Sequence, residues 1–400
     1  MTAAAPQPGA PPLAFLVFAL LSGHLVSAMA LLLLPAVAPE VARDYGFDPA
    51  LIGYQISVVT VGLPVSLMGF GGLTQRLGAC RTNQLAQVLV AGGLVVMMLP
   101  HALALLAGSL ALGFGYGLLA PSASALLMRF VPPDRRNLMF SLQQTGVPLG
   151  GMAAALIAPA IAVFAGWRWA LAFCAGLLMI TTLLMQRSRG RWDDDRNPRA
   201  PAWSSRPWAN FLMVWREPAL RRMALAGGLF CWGQFTVATY TVVVGVQTLG
   251  MTLVVAGTLL TTVQLGNACG RIAAGYVADR AGSGTRVLIG NAWLMLGAAL
   301  VSALLHPGWP LPVVYALFAL HGMTTGAWAG LVLAEAGRVA PQGQVGAAVS
   351  GVLVYVNIGK FVGPVAFANT YALTGDYRLA FLSLVPPSVA ILWSLRPPRP

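Results

Sequence analysis

Within the long apolar stretches of this chain, the side chains able to carry a charge at mid-helix positions are His24, Arg271, His321 and Lys360. All four are bases. The nearest acids, Glu40, Asp279 and Glu335, fall at the ends of such stretches, and Lys360 is the sole lysine. An ammonium group in an apolar setting without a carboxylate either loses its proton or takes its counter-charge from a bound anion. The chemistry this favours is recognition of a small organic or inorganic anion. Asn357 lies one turn before Lys360 on the same helical face and can share the ligand. His321, Thr324, Thr325 and Trp328 recur at i, i+3, i+4 and i+7, a polar and aromatic stripe. Gln234, Thr236 and Tyr240 are further candidates for substrate contact, as is His24. Either histidine can take a proton near neutral pH, so protons are a candidate coupling ion, with antiport and uniport also open. Each candidate has a plainer reading: a neutral or snorkelling lysine, or histidines held by packing. Arg271 follows Gln264 and Asn267 along one face and suits a gate or a helix pairing better than ligand contact.

Bond-making chemistry finds no foothold. The sequence has no His-x-x-x-His, His-Glu-x-x-His, Gly-x-Ser-x-Gly or Gly-Lys-Ser/Thr pattern. No enzyme activity, cofactor or metal is expected. Cys80, Cys174, Cys231 and Cys269 lack paired spacing and are expected to be free, buried thiols.

The elements that must hold these residues follow from charge placement. Of the 400 residues, 58% are hydrophobic and 9% charged, against about 25% charged in soluble domains. Stretches free of Asp, Glu, Lys and Arg run over 13–38, 50–75, 82–128, 138–167, 223–270, 287–334 and 379–395. A helix crosses the hydrocarbon core in about 20 apolar residues. The longest stretches are interrupted by Pro100-His101, by Leu249-Gly250-Met251-Thr252 and by His306-Pro307-Gly308-Trp309-Pro310, and so read as helical hairpins. The count is twelve helices, near 13–38, 50–72, 82–100, 102–128, 138–164, 169–186, 223–248, 253–275, 287–305, 312–334, 346–371 and 379–395. With both termini cytoplasmic, most arginines fall on the inner side, leaving Arg43, Arg168 and Arg378 outside. The net charge of +13 is then a topology signal, and nucleic acid is not an expected partner. The start, Met1–Pro12, has no basic n-region, so a cleaved signal peptide is not expected. Arginine outnumbers lysine 23 to one, a bias of GC-rich bacterial genomes, which points to a bacterial inner membrane.

Residues 187–222 form a basic linker with Trp192-Asp193-Asp194-Asp195, several prolines and nine arginines. In its second part Trp208, Phe211, Leu212 and Trp215 recur at helical spacing, as expected of a short helix lying on the membrane surface. The linker separates an N-terminal bundle, 1–186, from a C-terminal bundle, 223–400, each of six helices. The halves echo one another. Gly166-Trp167-Arg168-Trp169-Ala170-Leu171-Ala172-Phe173 matches Gly375-Asp376-Tyr377-Arg378-Leu379-Ala380-Phe381. Arg129-Phe130-Val131-Pro132 matches Arg338-Val339-Ala340-Pro341. Gly71-Gly72-Leu73-Thr74-Gln75-Arg76-Leu77-Gly78 matches Gly275-Tyr276-Val277-Ala278-Asp279-Arg280-Ala281-Gly282. The offsets are 210, 209 and 204 residues, in order and in equivalent loops. Parallel repeats of this kind are one architecture of secondary transporters.

The last pair carries a resemblance to the major facilitator superfamily, whose loop between helices 2 and 3 reads Gly-x-x-x-Asp-Arg-x-Gly. The second-half copy, Gly275, Asp279, Arg280 and Gly282, fits fully. The first-half copy, Gly71, Gln75, Arg76 and Gly78, has glutamine where the family has the acid. Gln144, Gly146, Pro148 and Gly150 partly resemble the Gly-Pro-rich helix 5 motif seen in antiporters, with Val147 breaking the Gly-Pro pair. The resemblance implies an all-α membrane protein of two pseudo-symmetric six-helix bundles, working by alternating access. It also implies that helices 1, 4, 7 and 10 line a central cavity, so that His24 and His321 face it. The signature loops would gate access, with the stronger latch at Asp279. A monomer in the lipid bilayer moving a small-molecule substrate is the expectation. A multidrug exporter is the main alternative, and a non-transporting receptor or a membrane enzyme is a remote one.

Overall fold

The computed structural model describes residues 13–70, 72–132, 135–203, 208–341 and 345–395, which form helices joined by turns and loops, with no strand among them. The helices are α1 (Leu13–Ala36), α2 (Ala38–Tyr45), α3 (Ile52–Gly69), α4 (Leu73–Leu77), α5 (Ala79–Met97), α6 (Ala102–Phe130), α7 (Arg136–Gln144), α8 (Gly146–Ala165), α9 (Trp167–Gln186) and α10 (Arg189–Trp192). They continue as α11 (Ala209–Arg216), α12 (Pro218–Gln247), α13 (Leu253–Ala281), α14 (Gly284–Ser302), α15 (Leu311–Gly326), α16 (Trp328–Val339), α17 (Val345–Thr374), α18 (Tyr377–Ala380) and α19 (Val385–Ser394).

Eleven stretches among the described residues are long and apolar enough to cross a membrane. The remaining expected span coincides with α5, whose 19 residues include Thr82, Asn83, Gln84 and Gln87. These polar groups face inward and pair. Asn83 donates to Ser122 Oγ at 2.9 Å, and Gln87 donates to Asn83 Oδ1 at 2.9 Å. Gln84 donates to the Thr182 carbonyl at 3.0 Å, and Thr181 to Gln87 Oε1 at 2.5 Å. Paired side-chain amides in a bundle interior cost far less than unpaired ones, so low hydropathy does not expel α5 from the bundle.

Expected single helices are broken where the chemistry requires it. Helix 5 is divided at Thr145 between α7 and α8. Pro148 has no N–H to donate and its ring crowds the carbonyl four residues earlier, which loosens that turn. Pro386 and Pro387 stand just after a 3-10 turn over Phe381–Leu384, where helix 12 is divided in the same way.

The described chain divides into two compact units. The first comprises Met1–Ala30, Gly62–Gly150 and Leu171–Ser205, the second Leu31–Val61, Gly151–Ala170 and Arg206–Pro400. In the second unit the start of α3 is bound to α12 and α17, on the side away from the arginine-rich loops. The hydroxyl of the fully buried Tyr240 is shared between the carbonyls of Ala50 and Pro364, at 2.9 and 3.0 Å. Ser57 donates to the Phe361 carbonyl at 2.8 Å, and Tyr54 to Asn369 Oδ1 at 2.6 Å. Nearby loops are tied by ion pairs. Arg168 reaches Asp44 at 2.6 Å, and that arginine, together with a hydrogen bond from the Trp167 indole, holds the Asp44 carboxyl below the usual carboxylate range. Arg378 grips Asp376 through Nε at 2.9 Å, which lowers that carboxyl too.

Candidate functional site

Site residues gather on three helices of the second unit, and their placement begins with backbone packing. Helices α12 and α17 run against one another through Gly228, Gly359 and Gly363. A Cβ on Gly359 would enter the Gly228 carbonyl, and one on Gly363 would come within 2.5 Å of the Trp232 carbonyl. Small residues four apart allow this approach in a membrane, where close van der Waals packing drives association. The consequence is that Lys360, next to Gly359, projects onto α12, with Nζ 4.2 Å from the centre of the Phe235 ring. Among the described residues no carboxylate pairs with it. Cys231, one turn before Phe235, is buried.

Around the lysine are further polar groups. Asn357 is buried and donates one amide N–H to the Leu353 carbonyl of its own helix at 2.9 Å, leaving its second N–H as the group to offer an anion. Trp328 donates its indole N–H to Gln234 Oε1 at 3.0 Å, joining α16 to α12. Thr236 lies against Gly363, one turn beyond Lys360 on α17, and its buried hydroxyl has no partner; neither has the buried indole nitrogen of Trp232. Of the residues singled out from the sequence, Lys360, Asn357, Gln234 and Trp328 therefore stand on α12, α16 and α17 around one stretch of α12. Phe235, Trp232 and Cys231 were missed. Phe235 falls between Gln234 and Thr236 of the polar set, but an aromatic residue in an apolar helix gives no signal by itself.

Other candidates stand elsewhere. Tyr240 is locked in the contact with Ala50 and Pro364 and stacked on Phe367 at 4.0 Å, so its hydroxyl is already used. His321 is fully buried, 2.8 Å from Ser302 Oγ and stacked on Phe381 at 5.5 Å, which places it in the interior of its own unit among α14, α15 and the residue following α18. Thr324 and Thr325 turn their hydroxyls back to carbonyls of their own helix. His24, in the first unit, is buried against Tyr116 at 5.8 Å with both ring nitrogens unpartnered. Arg271 donates to Asn267 Oδ1 at 3.0 Å, a turn earlier on α13.

The loop residues show a different division of labour from the one expected. Asp279 is exposed in the last turn of α13 and forms no ion pair among the described residues; Arg280 lies over Tyr276 at 4.2 Å, and Gly282 closes the helix in the left-handed conformation. Gly275 is simply part of that helix. In the first unit, by contrast, the loop is held by the linker. Asp193, buried, accepts from the backbone N–H of Cys80 at 2.7 Å and of Arg81 at 2.9 Å, at the positive end of α5. Gly78, with φ +94°, gives it room, since a Cβ there would overlap the carboxyl group. Asp194 and Asp195 pair with Arg129 at the end of α6, the latter at 2.8 Å. The Asn197 N–H donates to the Gln75 carbonyl at 2.8 Å, while Arg76 stands in the last turn of α4. An acid absent at position 75 is thus supplied from 118 residues further along the chain, at Asp193. Gly71 lies outside the described residues. Gln144 ends α7, Gly146 and Pro148 open α8, and Gly150 fits against the Leu25 and Met29 backbone of α1.

Burial raises the Asp193 carboxyl above the usual range, against the two N–H bonds that lower it. Asp193→Asn would turn one amide donor toward a backbone N–H. The expected loss is about 1–3 kcal/mol, the cost of an unsatisfied buried group, seen as a lower apparent Tm in detergent. An unchanged Tm would deny the cap its role. Cys80, Cys174 and Cys231 are free and buried as expected, but Cys269 is exposed, because its face of α13 is not covered by another helix.

Helices that cross a membrane, an internal repeat and signature loops at equivalent places define a polytopic protein of the transporter type. The chain belongs to the Major Facilitator Superfamily, whose sequence profile it matches over residues 19–364. An uncharacterised MFS-type transporter of Mycobacterium tuberculosis is 27% identical over 271 residues, covering 65% of this chain and 58% of that protein. Monocarboxylate transporter 11 of Mus musculus is 26% identical over 88% of this chain and 78% of its own length. A multidrug transporter of Aspergillus fumigatus is 28% identical over 36% of this chain and 29% of its own length. In fold, the crystal structure of a bacterial homologue of the human lysosomal transporter Spinster superposes with a TM-score of 0.73 at 14% identity, covering 97% of this chain and 95% of that one.

Proposed function

We propose that this protein is a secondary transporter of twelve membrane-spanning helices in two six-helix repeats, 1–186 and 223–400, and that it carries a small anion across a bacterial inner membrane by alternating access. The observation that carries the anion reading is Lys360: a lone ammonium in a membrane-spanning helix, resting on Phe235 at 4.2 Å and paired with no carboxylate among the described residues. A charge at that depth costs about 2.5–3.5 kcal/mol on insertion scales. A cation–π contact returns about 0.5–2 kcal/mol, and a bound carboxylate or inorganic anion supplies the rest. The unpartnered Trp232 indole and Thr236 hydroxyl are donors of the kind an anion's oxygens accept. The name of the mouse relative, a monocarboxylate transporter, agrees with this reading; that of the Aspergillus relative, a multidrug transporter, agrees with the exporter instead.

Uptake into vesicles holding the purified protein separates the two. The panel comprises small mono- and dicarboxylates, inorganic anions and cationic dyes, each with and without an imposed pH gradient. At least one carboxylate or inorganic anion is expected to enter faster than in protein-free vesicles, and to raise the apparent Tm as ligands of the folded state do. Dye movement with every anion inert would sink the anion reading and support the exporter.

A further inference from the structure

A trench of about 530 Å³ runs along the second unit between α13 and α14, floored by α15. It exists because side chains are missing: Gly270, Ala273 and Ala274 on one wall face Gly290 on the other, with Leu294 and Met323 at the deep end. Its flanks are apolar and uncovered, Ile272 at 76% and Trp293 at 61% exposure, as expected of a surface facing lipid. Three polar residues break this apolar lining; Thr324 spends its hydroxyl on the Leu320 carbonyl of its own helix, and the other two are Arg286 and Asn291. Arg286, exposed in the first turn of α14 on the arginine-rich side, stands at the mouth and has no ion pair among the described residues. Deeper in, the side-chain nitrogen of Asn291 is shut off from solvent and has no hydrogen-bond partner. Five residues of helix separate them, about 7.5 Å along the axis.

We propose that this trench binds one anionic phospholipid of the leaflet on the arginine-rich side. Arg286 takes the phosphate in a charge-assisted contact. The Asn291 amide donates to an ester carbonyl, which the glycerol backbone holds a comparable distance below the phosphate. An acyl chain then fills the groove along Gly290 and Leu294. Charge complementarity selects the occupant: a neutral hydrophobic compound would leave Arg286 unused, and a soluble anion would leave the trench empty.

The test is native mass spectrometry of the delipidated full-length protein in detergent, with dioleoyl phosphatidylglycerol or dioleoyl phosphatidylcholine added. Wild type is expected to retain one phosphatidylglycerol with about tenfold preference over phosphatidylcholine, the size of one charge-assisted contact. Arg286→Gln should abolish the preference, whereas Arg338→Gln, outside the trench, should keep it. Gly290→Leu should release both lipids without unfolding the protein, because a Cβ at Gly290 meets nothing within 4 Å. The proposal is overturned if Arg286→Gln keeps the preference, if Gly290→Leu retains lipid, or if glycerol 3-phosphate alone displaces it. Self-association that disappears in Gly290→Leu would assign the trench to a second copy of the chain and overturn it equally.

Discussion

Lys360→Met is expected to lower uptake of the proposed anionic substrate about ten- to a hundredfold while leaving the protein at least as resistant to heat as the wild type. The two halves of that expectation come from opposite signs of one charge. In the empty carrier Lys360 over Phe235 has no carboxylate to neutralise it among the described residues, so the fold bears the cost either of desolvating the ammonium or of discharging it. Methionine has similar length, no charge, and keeps the aromatic contact through sulfur. On the proposed anion reading the same ammonium would be the partner of the substrate in the loaded carrier, and a hydrogen-bonded charge pair is worth about 1.5–3 kcal/mol. Its loss lowers the specificity of uptake about ten- to a hundredfold. Lys360→Arg should retain part of the activity with a raised KM, because the charge survives but its shape does not. A purely structural lysine predicts another pattern, in which Tm and uptake fall together. Normal uptake by Lys360→Met would remove the basis of the anion reading.

How much of this was legible beforehand depends on whether the information is local. Helix positions were, because the bilayer excludes charge and the few charged residues mark the ends; the breaks at Pro148 and Pro386-Pro387 follow from chemistry within one turn. The polar side chains of α5 were placed in a membrane helix; α5 is not among the eleven stretches apolar enough to cross, and those side chains pair with α6 and α9. Orientation of a side chain around its helix was less accessible. Helical phase places His321 and Trp328 on one stripe, yet the break at Ala327 divides that stripe between α15 and α16. Trp328 meets Gln234, while His321 turns to Ser302 and Phe381. The family pattern of cavity-lining helices says nothing of such a break.

Least legible was the linker. Three consecutive aspartates in a basic loop carry no mark of burial, yet Asp193 is buried on the N-terminus of α5 and its neighbours clasp Arg129. The signal was present in two places at once, as an acid missing at Gln75 and a surplus of acids 118 residues later. Only a contact between distant segments joins them. The same holds for Tyr240, which has the composition of a binding residue and the surroundings of a structural one: two backbone carbonyls and a stacked Phe367.

That tyrosine marks where the second large effect is expected. Gly53, at the start of α3, lies against the Tyr240 hydroxyl and the Pro364 carbonyl, and a Cβ there would approach the latter to 2.6 Å. The obstacle is helix backbone, which cannot rotate away as a flexible side chain would. Gly53→Leu therefore opposes the contact of α3 with α12 and α17 on the side away from the arginine-rich loops. Overpacking of this kind costs about 1–3 kcal/mol, enough to shift an open–closed equilibrium about 5- to 150-fold. Alternating access needs this side to close once in each cycle, so uptake should fall by a similar factor. Closure itself can be read separately. In a Cys269→Ser background, which removes the exposed native thiol, a cysteine at Asn369 reports the contact with Tyr54. Its labelling by a charged maleimide should speed up in Gly53→Leu and stay at the starting rate in Gly92→Leu, where a new Cβ meets nothing within 4 Å. Loss of uptake with unchanged labelling would show that the leucine disturbs something other than this contact. Normal uptake with unchanged labelling would show that α3, α12 and α17 do not form a moving seal at all.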